Sequence, residues 1–161
     1  MRTLTLCTVA FILAGSPAAA QEPTAEEINQ YVELVRMDVR QGRAELVGQA
    51  MGLSAGQAAT FWPIYQEYEE AFTKQGDAEL QIIRDYAATF NSMTDAVASQ
   101  LAGRFLDLLD ARQSLWSEYH GKFEAALGGA VAARFLQVER RISTLLDLRI
   151  AADIPLLKPP R

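Results

Sequence analysis

The constraint that most narrows the fold of this chain is an apolar period of three and four residues, sustained over unusually long stretches. Phe61, Tyr65, Tyr68 and Phe72 follow one another at spacings of four, three and four, and the same face resumes at Ile83, at Tyr86 or Ala87, and at Phe90. A second run carries Val97, Leu101, Phe105, Leu108, Leu115, Tyr119 and Phe123, and a third Val131, Phe135, Val138, Ile142 and Leu145. Side chains so spaced share one stripe of an α-helix, close to the 3.5-residue seam of packed helices. A half-buried strand would instead alternate every second residue, and no stretch of convincing length does so. The expected fold class is all-α. Two helices of about 30 to 35 residues would each reach about 50 Å, at 1.5 Å per residue.

The boundaries of these runs are written in side-chain chemistry. Leu53-Ser54-Ala55-Gly56-Gln57 places Ser54 at an N-cap, Gln57 at the third helical position and Leu53 as the staple residue before the cap. Met93-Thr94-Asp95-Ala96-Val97 repeats the pattern in degenerate form: Thr94 can cap, but Val97 cannot return the second hydrogen bond. Nearer the start, Thr24 and Glu27 form a further capping box before a first helix with Ile28, Tyr31, Val32, Val35 and Val39 on one face. Gly42 is expected to interrupt it, leaving a shorter helix from Arg43 to Met51 that ends at Gly52. Inside the long second run, Pro63 removes an amide donor and predicts a kink, and Gly76 is a second weak point. Stops are expected at Asn91-Ser92, at Gly128-Gly129 and at Pro155.

The first twenty residues have the layout of a cleavable signal peptide: Arg2, an apolar stretch from Leu4 to Gly15, then the small residues Ser16-Pro17-Ala18-Ala19-Ala20. The apolar stretch is too short for a bilayer that needs roughly 20 helical residues, and no later stretch is long enough. Cleavage after Ala20 would leave Gln21 first and place a soluble domain in the periplasm. Cys7 is the only cysteine and lies within the signal, with too little apolar sequence before it for a lipid-acceptor site. The mature chain would have no thiol, hence no disulfide. Removing residues 1–20 takes away Arg2 and no acid, so the net charge moves from −5 to −6. Acids and bases are interspersed without a basic block, which argues against nucleic acid and anionic lipid as partners. Residues 21–157 are read as a single helical domain, with 158–161 as a short tail.

The catalytic inventory is thin. His120 is the only histidine and has no second ligand at helical spacing. Glu26-Glu27, Glu69-Glu70 and the pair Asp107 and Asp110 read as solvated helix faces rather than acid–base pairs. No phosphate loop, nucleophile elbow or zinc spacing is present in the sequence. No enzyme activity, cofactor or metal is expected. What the sequence has in excess is aromatic residues. Phe61 and Trp62 are adjacent, about 100° apart on a helix, and cannot share one narrow seam. Such overflow predicts an apolar patch rimmed by charge, the usual mark of a protein-binding surface. Candidate contacts are Trp62, Tyr65, Tyr68, Phe72 and Trp116.

Leu-Ser-x-x-Gln at 53–57 resembles the LTxxQ motif of the Spy/CpxP superfamily of periplasmic helical proteins, and 93–97 looks like its worn second copy. Phe61-Trp62-Pro63-Ile64-Tyr65, with Tyr68 beyond it, and the ending Ile150-Ala151-Ala152-Asp153-Ile154-Pro155-Leu156 resemble a subgroup of exported proteins in it. The resemblance covers roughly residues 43–157. It implies long antiparallel helices in a hairpin-like bundle, often a cradle-shaped homodimer, and a structural role for Leu53, Ser54, Gln57 and Thr94 as helix starts. It also implies an ATP-independent chaperone of the envelope-stress response, an inhibitor of a sensor kinase, or a metal-responsive protein. The chain departs from the pattern where the second motif lacks its glutamine, where an acidic balance replaces a basic concave face, and where a His- and Cys-rich metal segment is missing. Three functions follow as expectations. The first is a holdase for unfolded or misassembled envelope proteins. The second is an adaptor docking on a membrane sensor's periplasmic domain, with Ile154-Pro155-Leu156-Leu157 as its docking peptide or simply packed back on the bundle. The third is a plain helical dimer with its aromatics buried.

Overall fold

The computed structural model describes Glu26, Gln30 and residues 42–157. The expected signal peptide, the capping box at Thr24, the apolar face from Ile28 to Val39 and the tail 158–161 lie outside the described residues. Within them the chain is helical apart from short connections and the last few residues, and no strand occurs. Helix α1 is described over residues 42–51. It is followed by α2 (Ala55–Thr89), a 3-10 turn at Phe90–Ser92, α3 (Asp95–Leu127) and α4 (Gly129–Asp153).

The long helices begin where cap chemistry places them. Ser54 Oγ accepts from the Gln57 amide at 3.3 Å while Gln57 Oε1 accepts from the Ser54 amide at 3.0 Å, a closed capping box. Thr94 Oγ1 accepts from the Val97 amide at 3.3 Å, and no bond comes back from residue 97, as its side chain dictates. Helix α2 runs without interruption through Pro63 and Gly76 for 35 residues, and α3 has 33. Proline therefore does not end α2, because the packing of flanking turns outweighs the one amide bond it removes. One residue makes the α3–α4 turn. Gly128, at φ +87° and ψ 161°, donates to Glu124 O at 2.9 Å to finish α3 and accepts from Ala132 N at 3.2 Å to start α4. That backbone geometry is essentially restricted to glycine.

Helix α3 packs against both α2 and α4. Helix α1 joins the same core from another side, through Val47 and Met51, which are buried with Phe61, Tyr65, Tyr68, Leu115, Tyr119, Phe123, Ala132 and Phe135. The rings form a continuous stack: Phe123 lies 4.7 Å from Phe61 and 4.4 Å from Phe135, centroid to centroid, and Tyr68 meets Tyr119 and Phe135 edge-on. Each fully buried large side chain contributes roughly 1.5–3 kcal/mol of transfer free energy, so this end dominates the stability of the bundle. A smaller cluster of Leu80, Ile83 and Ile150 closes the other end, where Tyr86 Oη donates to Pro155 O at 2.7 Å.

Two expected core positions are corrected. Phe105 is 44% exposed and Leu145 68% exposed. On α4 the buried positions are Ala132, Phe135, Glu139, Ser143 and Ile150. This stripe is offset by one residue, about 100°, from the one drawn through Val138, Ile142 and Leu145. An apolar-only reading steps around Glu139 and Ser143, and so it rotates the helix.

Candidate functional site

The polar heart of the molecule is Glu139, which is 0% exposed. Tyr65 Oη donates to its Oε1 at 3.2 Å and Tyr68 Oη to its Oε2 at 2.7 Å. Arg43, reaching in from α1 and itself buried, donates to Glu139 Oε2 through Nη2 and to Tyr65 Oη through Nε at 3.1 Å. Trp116 Nε1 donates to Tyr68 Oη at 3.1 Å, bringing α3 into the set. The Arg43 guanidinium also lies over the Phe72 ring, 3.9 Å from its centroid, a cation–π contact in a desolvated place. All four helices thus contribute to one network.

Its electrostatics follow from burial. Burial pushes the Glu139 carboxyl above the usual range, against the pull of Arg43 and the two tyrosine hydroxyls. Burial also raises the Tyr65 and Tyr68 phenols, with Glu139 adding to it, so both remain neutral donors. For Arg43 burial works against the charge, but Glu139 and the two tyrosines hold its pKa above the ordinary value. A buried ion pair of this kind is a weak net source of stability, but removing either partner leaves the other charge buried and unpaired.

A second buried cation continues the line. Arg112 Nη1 donates to both Asp147 oxygens at 3.0 Å and its Nη2 to Glu79 Oε2 at 2.7 Å, tying α3 to α4 and α2. Nearby in the three helices Gln75 Oε1, Arg112 Nε and Ser143 Oγ are buried without a hydrogen-bond partner among the described residues. Glu139, Ser143 and Asp147 recur every four residues, so α4 offers a polar ladder to its neighbours. Charge alone does not reveal this ladder in the sequence; the signal available was the i, i+4 spacing of polar residues inside an otherwise apolar stripe.

The sequence-derived contact candidates separate into two groups. Tyr65 and Tyr68 are fully buried and committed to Glu139, as core residues of the helix packing rather than surface contacts. Trp62, Phe72 and Trp116 are half-buried, each packed against the main core. Trp62 stands edge-on to Phe61 and Tyr65 and covers Gly48 of α1. The large apolar side chains that do reach solvent are elsewhere: Phe105, Leu106 and Leu109 on α3, Leu145 and Leu148 on α4, Leu156 and Leu157 after it, and Leu46 on α1. The apolar period alone cannot find these, because it marks apolar residues as inward.

His120 is half-buried, its Nδ1 4.0 Å from the Glu124 carboxylate. Among the described residues no group of His, Cys, Asp or Glu is arranged to hold a metal ion. An open groove between α2 and α3, lined by Lys74, Gln75, Gln81, Arg104, Asp107 and Leu108, mixes both charges with apolar surface. No helix among the described residues is long and apolar enough to cross a membrane. No protein-family model, curated protein or solved structure matches this chain.

Proposed function

We propose that this chain is an ATP-independent, chaperone-like binding protein of the bacterial periplasm, non-enzymatic, holding unfolded or misassembled envelope proteins on its apolar helical surface. The observation that carries the reading is the solvent-facing row Phe105, Leu106 and Leu109 on α3, with Leu145 and Leu148 on α4. Helix α3 places Arg104, Asp107 and Asp110 beside its row, so apolar contact is rimmed by charge of both signs. The resemblance to the Spy/CpxP superfamily, carried by Leu53, Ser54, Gln57 and Thr94, supports the same class and the export route, and with it a homodimer. The test is aggregation of a chemically denatured client with stoichiometric protein of residues 21–161. Suppression that survives a change of salt is the expected result, and none at any salt would sink the reading.

A regulatory adaptor for a membrane sensor is the second reading, favoured by one specific observation. Ile154 packs on the smaller core cluster and Tyr86 grips the Pro155 carbonyl, while Leu156 stands 91% exposed. That arrangement presents Leu156 to a partner. Crosslinking in cells separates the two readings: one dominant product favours the adaptor, many products the chaperone.

A further inference from the structure

We propose that α1 is a detachable clasp, and that the groove it fills between α2 and α4 also takes a helical segment of a client: one with a basic residue followed by apolar residues four and eight positions later. The inference deepens the chaperone reading and rests on it for the client being a polypeptide.

Helix α1 presents Arg43, Val47 and Met51 to the bundle, spaced i, i+4 and i+8, and all three are buried. Ala44, Glu45, Leu46 and Gln49 on its other side are exposed. An amphipathic helix read by anchors at these spacings is the standard helix-in-groove mode of peptide recognition. The seat has apolar walls from Phe61 and Phe72 and a carboxylate, Glu139, at its polar point.

Three features make the clasp separable from the rest. Helix α2 starts on its own Ser54–Gln57 box and does not need α1 to begin. Gly52, at φ +59°, ends α1 in a left-handed turn before α2, a hinge point; the tie that opening must break there is Arg134 Nε to the Ala50 carbonyl, 2.8 Å. Glu139 stays oriented by Tyr65 and by Tyr68, itself held by Trp116, so the acidic point is organised without α1. Release of the three buried anchors of α1 is one local opening of the bundle. The buried carboxylate then supplies selectivity. A segment entering without a cation would leave Glu139 unpaired in an aromatic pocket, which is strongly unfavourable. The short tether gives α1 an effective concentration on the order of millimolar, so it normally outcompetes a free segment.

The experiment uses the chain of residues 21–161 and a fluorescent peptide of residues 42–51, with hydrogen exchange followed in parallel. The amides of Val47 to Met51 are expected to exchange at least tenfold faster than those of Tyr65 to Phe72. Peptide binding, read by anisotropy, is expected to be at least tenfold tighter to Arg43→Ala than to the wild type, since Arg43→Ala weakens the resident clasp. A peptide carrying the same substitution should lose that binding. Equal exchange in α1 and α2, no tightening, or binding indifferent to the peptide's arginine would each overturn the proposal. Should Arg43→Ala not fold, the wild-type exchange pattern and Arg43→Lys decide it. Aggregation suppression is scored on the same samples. Suppression without peptide exchange removes the clasp and leaves the chaperone, whereas exchange without suppression removes the chaperone and leaves the groove.

Discussion

Glu139 and Arg43 are the residues whose removal says most about how this molecule is held. Glu139→Ala would leave the Arg43 guanidinium buried beside Phe72 without its counter-ion, a loss of about 3–5 kcal/mol. The double variant Arg43→Met with Glu139→Leu removes both charges and should lose far less. Urea unfolding of the two single variants and the double gives the coupling directly. The pH dependence has a definite sign. With burial holding the Glu139 carboxyl above its unfolded value, folding is coupled to proton uptake at pH values between the two. Stability therefore rises as the pH falls into that window and is lost as the pH climbs through the folded pKa. As the pH is lowered toward the unfolded glutamate pKa, the wild-type melting temperature should rise relative to that of Glu139→Gln, which has nothing to titrate; no relative rise would contradict the assigned direction.

At the scale of helices, the two capped starts differ in a way that substitution can measure. Ser54 takes part in a reciprocal box and Thr94 makes a single bond. Ser54→Ala should cost about 1–2 kcal/mol and Thr94→Ala nearer 0.5, both within the usual range for N-caps. The α3–α4 turn is less forgiving of a side chain. Gly128→Ala would force a Cβ into a backbone region that only glycine populates readily, at about 1–3 kcal/mol. Thermal melts of all three rank these effects. Cross-helix ties such as Arg104 to Asp85, 2.6 Å apart and partly exposed, orient α2 on α3 without adding much stability.

For the whole molecule, the consequence is a division between a packed aromatic interior and an aliphatic exterior. Leu106→Asn with Leu109→Asn changes only exposed positions, so stability should stay within about 0.5 kcal/mol per site. Aggregation suppression should fall several-fold if that row holds clients. Unchanged suppression in a correctly folded variant would move the client surface elsewhere, the α1 groove being the next place to look.

The sequence by itself determined the helical class, the starts at Ser54 and Thr94 and the turn at Gly128, because these depend on periodicity and on bonds between residues three or four apart. It also placed most of the aromatic core, since Phe61, Tyr65, Tyr68, Leu115, Tyr119 and Phe123 fall on stripes an apolar period can mark. Only the tertiary structure decided the rotation of α4, the burial of Glu139 and the exposure of Phe105 and Leu145. The physical reason is pairing at a distance. A carboxylate enters a core when a guanidinium and two phenols from other helices await it, and Arg43 lies 96 positions away along the chain. No local pattern carries that information. The inward stripe of Tyr65 and Tyr68 was thus legible, but the acid they turn inward to hold was not, nor was the exposure of Phe105 and the leucines around it.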